Sequence, residues 1–432
     1  MDWKSLYKER LTTAADAVKH IKSGDRVVIS HAVGEPTHLV DAMVENREAC
    51  RDVEIVHMVA MGKAAYAQSG MEPYFRHNAL FVGGSTRETV NSGHGDFVPC
   101  YFYRVSNMFT KTLPPDVALV HVSPPDKHGW CSCGVSVDYS KEGAEAAKIV
   151  IAQVNKHMPR TLGDTFLHVS RMHHIVEHDA PLIELAPPKI SDVEKAIGEN
   201  CAKLIQDGDC LQLGIGAIPD AVLLFLKDKK DLGVHSEMIS DGVVELAEAG
   251  VITNAKKNFN KGVSIVNFLM GTQRLYDYVD DNPAVNMHPA SYVNDPCIAG
   301  QNDNLVSVNS CVQVDLLGQV CSETVGTTQI SGVGGQVDFV RAAAISKGGR
   351  SIIAMPSTAA KGTVSKIVPV LDEGAVVTTG RCDVQYIVTE YGIAELMYRT
   401  VKDRARALIN IAHPNFRESL KEAFEKRFKA KF

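Results

Sequence analysis

Short apolar runs alternate with amphipathic stretches along almost the whole chain, and this alternation constrains the fold more than any other feature. Asp25–Ser30 (DRVVIS), Val53–Met58, Val117–Val122 and Ile149–Val154 are rich in Val and Ile, the pattern of strands covered on both faces. Around them, Ala14–Ile21, His38–Val44 and Val193–Ile205 place apolar residues at helical spacing. Repeated strand–helix units of this kind predict an α/β fold with mostly parallel sheets. With 432 residues, 45% of them apolar, the chain can fill roughly two or three domain cores.

A seam is expected at Pro181–Ile190 (PLIELAPPKI), where adjacent prolines block regular structure. It divides the chain into lobes of 1–185 and 186–432. The two parts echo each other. Ile21-Lys-Ser-Gly24-Asp25 before an apolar run matches Ile205-Gln-Asp-Gly208-Asp209 before another, and each run leads to a Gly-containing loop with a proline, Pro36 or Pro219. Gly129-Trp-Cys131-Ser132 likewise resembles Gln319-Val-Cys321-Ser322. The offsets, near 184 and 190 residues, point to internal duplication, although βα units also resemble one another without it. Two similar lobes would leave a cleft between them, a common place for a ligand and hence for an active site.

Several function classes are disfavoured. Acidic residues outnumber basic ones, 51 to 45, for a net charge of −6, which argues against a nucleic-acid binder. No apolar run approaches the ~20 residues that span a bilayer, and the opening MDWKSLYKER lacks the apolar core of a signal peptide. Ten cysteines are scattered without a CxxC pair, so reduced thiols and a cytoplasmic location are expected. Cys131 and Cys133, the one close pair, read as strand residues sharing a face. His173-His174, and His94 with Asp96, lack any HExxH-like pairing and read as ordinary polar residues, so no metal is expected.

Three stretches could carry chemistry. Leu211-Gln-Leu-Gly214-Ile-Gly216-Ala-Ile-Pro219-Asp220 lies between an apolar run and a helical one. Its glycines would let backbone approach a ligand, and the amides of the helix start would favour an anion. A plain tight turn fits equally well, and Pro219 stands where a nicotinamide fingerprint needs its third glycine. Ser331-Gly332-Val333-Gly334-Gly335 precedes a helix expected over 337–346. Three glycines in four positions make sense if amides must face a carbonyl or phosphate; a simple connection is the alternative. Leu232-Gly-Val-His235-Ser236-Glu237-Met238-Ile-Ser240-Asp241 reads as a short strand presenting a carboxylate, with Ser240 capping the next helix. Strand carboxyl ends face the ligand crevice in such sheets, so Glu237 could act as nucleophile or base. Locally, a solvated or capping glutamate is the safer reading. No GxxxxGK[ST] motif exists, so no ATP is implied.

Together these stretches resemble the acetyl-CoA hydrolase/transferase family, the glutamate-dependent CoA-transferases. The matching segments are QLGIGAIPDAVL (212–223), HSEMISDGVVEL (235–246), FLMGT (268–272), SGVGGQVDFVRAA (331–343), VTEYGIAEL (388–396) and RARALINIAHPNFRESL (404–420). MDWKSLYKER and SGDRVVISHAVGEP (23–36) fit as well, so the resemblance runs the full length.

The resemblance implies a ping-pong exchange in which Glu237 attacks an acyl-CoA and comes to carry CoA as a thioester. The donor would be acetyl-CoA or butyryl-CoA and the acceptor a short-chain carboxylate, 4-hydroxybutyrate being favoured. It further implies CoA contacts from Gly214, Ile215, Gly216, Ala217, Ile218, Val312 and Gly335, and from a lysine of Lys361-Gly-Thr-Val-Ser-Lys366, with Lys361 preferred. Gln212 and Gly214 would be oxyanion donors, each such donor typically worth ~3 kcal/mol. CoA would be a cosubstrate, with no tightly bound cofactor, no nucleic-acid or membrane partner, and a homodimer as the assembly. The alternatives are an acyl-CoA hydrolase on the same scaffold and, from another class, a non-catalytic CoA-binding protein. Acyl specificity would lie in the first lobe, around His31–Pro36 or Met58–Lys63.

Overall fold

The computed structural model describes residues 2–432. They form two compact units: the first extends to Ala186 and also takes Ile265–Val293, and the second comprises Pro187–Ser264 and Asn294–Phe432. Residues 178–191 have no regular structure, and the change of unit falls at the two prolines. Residues 265–293 pack with the first unit although they lie inside the span assigned to the second lobe from sequence. Their bonds explain why. Tyr276 Oη donates to Ile183 O (2.7 Å), Gln273 N to a Glu184 carboxylate oxygen (3.0 Å), and Ser291 Oγ to Glu142 Oε1 (2.6 Å).

The first unit is built on seven parallel strands, β1 (Arg26–Ile29), β2 (Val53–His57), β3 (Phe75–Ala79), β4 (Gly95–Phe97), β5 (Val117–Val122), β6 (Ile149–Val154) and β7 (His174–Glu177). Their order across the sheet is β7-β6-β5-β1-β2-β3-β4. Every residue of β2 and β5 is buried, as a sheet covered on both faces requires. Helix α1 (Thr37–Glu45) presents Leu39, Val40 and Met43 to the same core as Val27, Ile29, Ile55 and Leu119. The helix expected over 14–21 is one α-turn, Ala14–Ala17, capped by Thr13, which tightens into a 3-10 turn at Val18–His20.

The second unit opens with α2 (Asp192–Ala202), started by a capping box between Ser191 and Glu194. Its sheet contains β8 (Cys210–Leu213), β9 (Gly233–Val234), β10 (Leu305–Ser310), β11 (Arg350–Ala354), β12 (Tyr386–Thr389) and β13 (Gly392–Glu395), in the order β9-β8-β10-β11-β12-β13. All neighbours are parallel except β12 and β13. Helices α3 (Ala217–Leu224), α4 (Asp241–Glu248) and α5 (Gln336–Ile345) connect them, and α6 (Val401–Asn410) with α7 (Pro414–Phe428) closes a core of Ile353, Ile387, Leu408 and Phe424.

The units share a strand order. In each, the first strand lies between the second and one that arrives later: β1 between β2 and β5, β8 between β9 and β10. That reversal is the switch point at which open α/β sheets leave a crevice outside their carboxyl ends. The two Cys-Ser segments also correspond, each on a short strand after the later-arriving strand, Trp130–Ser132 after β5 and Val320–Cys321 after β10.

Candidate active site

The sequence-derived site residues converge on the carboxyl edge of the second sheet. Beyond β8 the chain passes through Gly214, Ile215 and Gly216 into α3. Gly216 has φ +111°, which disfavours any other residue. A Cβ on Gly214 would meet only Pro219 Cγ, at 3.9 Å, and one on Gly216 would meet nothing within 4 Å. These glycines therefore border open space rather than a packed neighbour. Ile215 is 41% exposed, whereas Ile218 turns into the core. Asp220, in the first turn of α3, accepts a hydrogen bond from Ser240 Oγ (3.3 Å), and burial pushes its carboxyl upward.

Glu237 stands beside this loop because β9 pairs with β8, Leu211 opposite Val234. His235 N donates to Leu211 O (3.0 Å), and Ser236 Oγ takes the Leu213 N–H (3.2 Å) and donates to Met238 O (2.7 Å). Ser236 and Met238 are buried, and Glu237 between them is only half-buried. Its carboxylate is held by a side chain rather than by a helix start: Asn294 Nδ2 donates to Oε2 at 2.7 Å and lies 3.5 Å from Asp338 Oδ2. Ser240 does hold the N-cap position of α4, but its hydroxyl serves Asp220 instead of the helix amides.

The glycine-rich stretch ends against this carboxylate. Gly335 is the N-cap of α5, and a Cβ built on it would lie 1.8 Å from Glu237 Oε2 and 2.3 Å from Asn294 Nδ2. A methyl here would have to displace the ends of the Glu237 and Asn294 side chains. Gly334 supplies the left-handed turn (φ +53°) that brings the backbone in.

The remaining candidates continue along the same edge. After β10, which pairs with β8, come buried Cys311 and half-buried Val312, whose N–H donates to Cys321 O (2.9 Å). Asn309 Nδ2 donates to Gln212 Oε1 (3.1 Å), which makes Nε2 the donor end of Gln212. The two lysines differ. Lys366 Nζ donates to Cys311 O (2.9 Å), and burial holds its pKa down. Lys361 sits exposed at the tip of the hairpin formed by Thr358–Ala359 and Val364–Ser365, which follows β11.

In the first unit, the loops after β1 and β2 are joined by a buried carboxylate. Glu35 Oε2 accepts from Met61 N (2.9 Å) and Gly62 N (2.8 Å), and burial raises the Glu35 pKa. The three histidines singled out in the sequence have local contacts: His173 Nδ1 accepts from Val150 N (3.0 Å), His174 stacks on His20 at 3.9 Å, and His94 faces Glu72 at 3.8 Å. Among the described residues no group of three His, Cys, Asp or Glu side chains is arranged to hold a metal. Cys131 and Cys133 are buried and free, and burial raises both thiol pKa values, that of Cys131 to about 12.

Two domain profiles cover most of the chain: the acetyl-CoA hydrolase/transferase N-terminal domain matches residues 1–187, and the corresponding C-terminal domain matches 271–424. The chain belongs to the acetyl-CoA hydrolase/transferase family. Family relatives also span the intervening residues, where Gly214–Ile218 and Glu237 lie. The 4-hydroxybutyrate coenzyme A transferase of Clostridium kluyveri is 64% identical over 429 residues, 99% of this chain and 100% of that one. The crystal structure of RipA from Yersinia pestis superposes with a TM-score of 0.95 at 39% identity, covering 100% of both chains. That of the 4-hydroxybutyrate CoA-transferase from Porphyromonas gingivalis does so with 0.86 at 42% identity, over 99% of this chain and 100% of that one.

Sequence reasoning missed Asn294. It lies far along the chain from Glu237, in an Asn-Asp-Pro segment that resembles any helix start, and only the tertiary fold brings its amide to the carboxylate.

Proposed function

We propose that this chain is a CoA-transferase that moves CoA from acetyl-CoA or butyryl-CoA to a short-chain carboxylate, 4-hydroxybutyrate foremost, through a thioester on Glu237. The observation that carries this reading is the Glu237 carboxylate itself, set at the sheet's carboxyl edge, engaged by Asn294 and closed over by Gly335. Glu237 attacks the thioester carbonyl and expels CoA thiolate, leaving an acyl–glutamyl anhydride. The thiolate then attacks the glutamyl carbonyl and releases the first carboxylate. An incoming carboxylate attacks the resulting enzyme–CoA thioester, and the freed thiolate attacks the new acyl carbonyl, restoring Glu237 and completing the new acyl-CoA. Each step exchanges one activated acyl group for another, so ATP has no part.

In this reading Gly214, Ile215, Gly216, Ala217, Ile218, Val312 and Gly335 contact CoA, which enters as a cosubstrate. Lys361 is the better partner for its phosphates, because the Lys366 ammonium is already spent on Cys311 O. Gln212 Nε2 and the Gly214 amide serve as oxyanion donors. A homodimer in the cytoplasm is the expected working form.

The test is an acceptor panel with acetyl-CoA as donor. The reading expects acetate release matched by new acyl-CoA, fastest with 4-hydroxybutyrate, and parallel initial-rate lines. Free CoA thiol appearing without any acceptor would favour hydrolysis instead, the activity named for an acetyl-CoA hydrolase of Yarrowia lipolytica that is 30% identical over 397 residues.

A further inference from the structure

The helix that opens the chain, Trp3–Arg10, has no buried residue, yet it is held in place at several points. Arg10 Nη1 donates to Val169 O (3.1 Å) and Ser170 O (3.0 Å), Thr12 N to Ile175 O (2.9 Å), and Tyr7 Oη to Glu177 Oε1 (2.9 Å). Trp3 lies so close on Gly129 that a Cβ there would come within 2.8 Å of its Cγ. Residues 3, 4, 7 and 8, two pairs at i, i+4 spacing, share the face that lines a cleft of about 340 Å³. The cleft belongs to the first unit and lies at the carboxyl ends of β5, β6 and β7: Pro124 and Pro125 follow β5, Val154 ends β6 and Glu177 ends β7. Small-molecule sites have volumes of roughly 300–1,000 Å³, and open α/β sheets take their ligands on this side.

The lining divides by chemistry. Trp3, Pro124, Pro125 and Val154 give the cleft apolar walls built largely from flat rings. Its two carboxylates already have partners on the protein. Asp179 takes the Lys156 backbone N–H (3.0 Å) and Nζ (2.6 Å), and Glu177 takes the Tyr7 hydroxyl. Burial and the Glu177 carboxylate push the Tyr7 pKa up, so that hydroxyl stays a donor. Lys4 and Lys8, by contrast, form no ion pair with any described residue, and Lys4 Nζ rests 5.7 Å from the Trp3 ring centroid. The lining cations Lys4, Lys8 and Lys156 outnumber the two carboxylates by one, so a single negative charge neutralises the site.

We propose that this cleft is a binding site for an aromatic monocarboxylate, its ring on the Trp3 and proline walls and its carboxylate between Lys4 and Lys8. The indole and pyrrolidine surfaces suit a flat ring, and two ammonium groups about one helical turn apart suit a compact anion. A phosphate is disfavoured, because its second negative charge would face Glu177 and Asp179 uncompensated. A cation is disfavoured as well, since it would have to displace Lys156 or Tyr7 from those carboxylates. The site makes no demand on the chemistry at Glu237 and stands or falls apart from the transferase reading.

The chain has two tryptophans, Trp3 and Trp130, so Trp130→Phe leaves Trp3 as the sole indole reporter. The experiment titrates that variant with 3-phenylpropanoate and with 3-phenylpropanamide, which has the same body without the charge. Both titrations are repeated with Lys4→Gln and Lys8→Gln added. The expected result is a saturable shift of Trp3 emission with the acid. The amide should bind at least about fivefold more weakly, and the two lysine substitutions should weaken the acid by a similar factor while leaving the amide unchanged. No saturable shift, an amide that matches the acid, or an acid indifferent to the lysines overturns the proposal. So does a Trp3 emission that moves with protein concentration alone, which would mark the cleft as a contact between copies of the chain. Should Trp130→Phe fail to fold, equilibrium dialysis of the acid against wild type and the Lys4→Gln, Lys8→Gln double variant decides, and equal binding overturns the proposal.

Discussion

Glu237 and Gly335 illustrate how a site can be legible in residue type and illegible in geometry. The sequence showed a carboxylate at a strand end and an excess of glycine elsewhere, but not that the two meet. Because a Gly335 Cβ would strike the ends of the Glu237 and Asn294 side chains rather than backbone, Gly335→Ala is expected to displace the carboxylate while sparing the fold. Misplacing the reacting carboxylate by a fraction of an ångström to an ångström is expected to lower kcat by at least about tenfold. The Tm of the variant should stay close to that of wild type. Steady-state kinetics beside a thermal melt check this, and a variant that keeps its kcat would show that the contact does not matter. Asn294 was unreadable for a different reason: an asparagine before Asp-Pro has an ordinary local role, and its partner comes from another strand connection.

At the scale of elements, the long apolar strands were read to within a residue, because burial on both faces leaves a continuous Val/Ile signature. Val117–Val122 and Ile149–Val154 match β5 and β6 end to end. The two-residue β9 has no such signature; it is held by its pairing with β8 and by a buried lysine. Lys257, from the polar run Lys256-Lys257-Asn258, is 4% exposed and donates Nζ to Val234 O (2.9 Å) and Val263 O (2.7 Å). Burial lowers its pKa from 10.5 to about 8. The unfolded chain therefore binds the proton more tightly than the native one, so this group makes stability rise with pH between about 8 and 10.5. Urea unfolding of wild type and Lys257→Met across that window should show a smaller rise in the variant. Equal slopes would mean that Lys257 titrates alike in both states.

For the whole molecule, the α/β class and the seam at the paired prolines followed from periodicity and from proline chemistry, which are local. The return of 265–293 to the first unit did not, since FLMGT and its surroundings carry no local mark of the unit they join. In both units the first strand, β1 or β8, lies between the second strand and a later-arriving one. In the second sheet, Gly214–Ile218, Glu237 and Val312 follow the carboxyl ends of the strands at that reversal. No helix of the described residues is long and apolar enough to cross a membrane. The proposed transfer requires a covalent bond to one side chain, Glu237. The most direct measurement is to incubate the purified protein with acetyl-CoA alone, reduce it with borohydride, and map the peptide containing residue 237 by mass spectrometry. The account predicts that Glu237 is converted to the corresponding alcohol, the product of a reduced thioester; an unmodified Glu237 in a sample that has consumed its acetyl-CoA would contradict it.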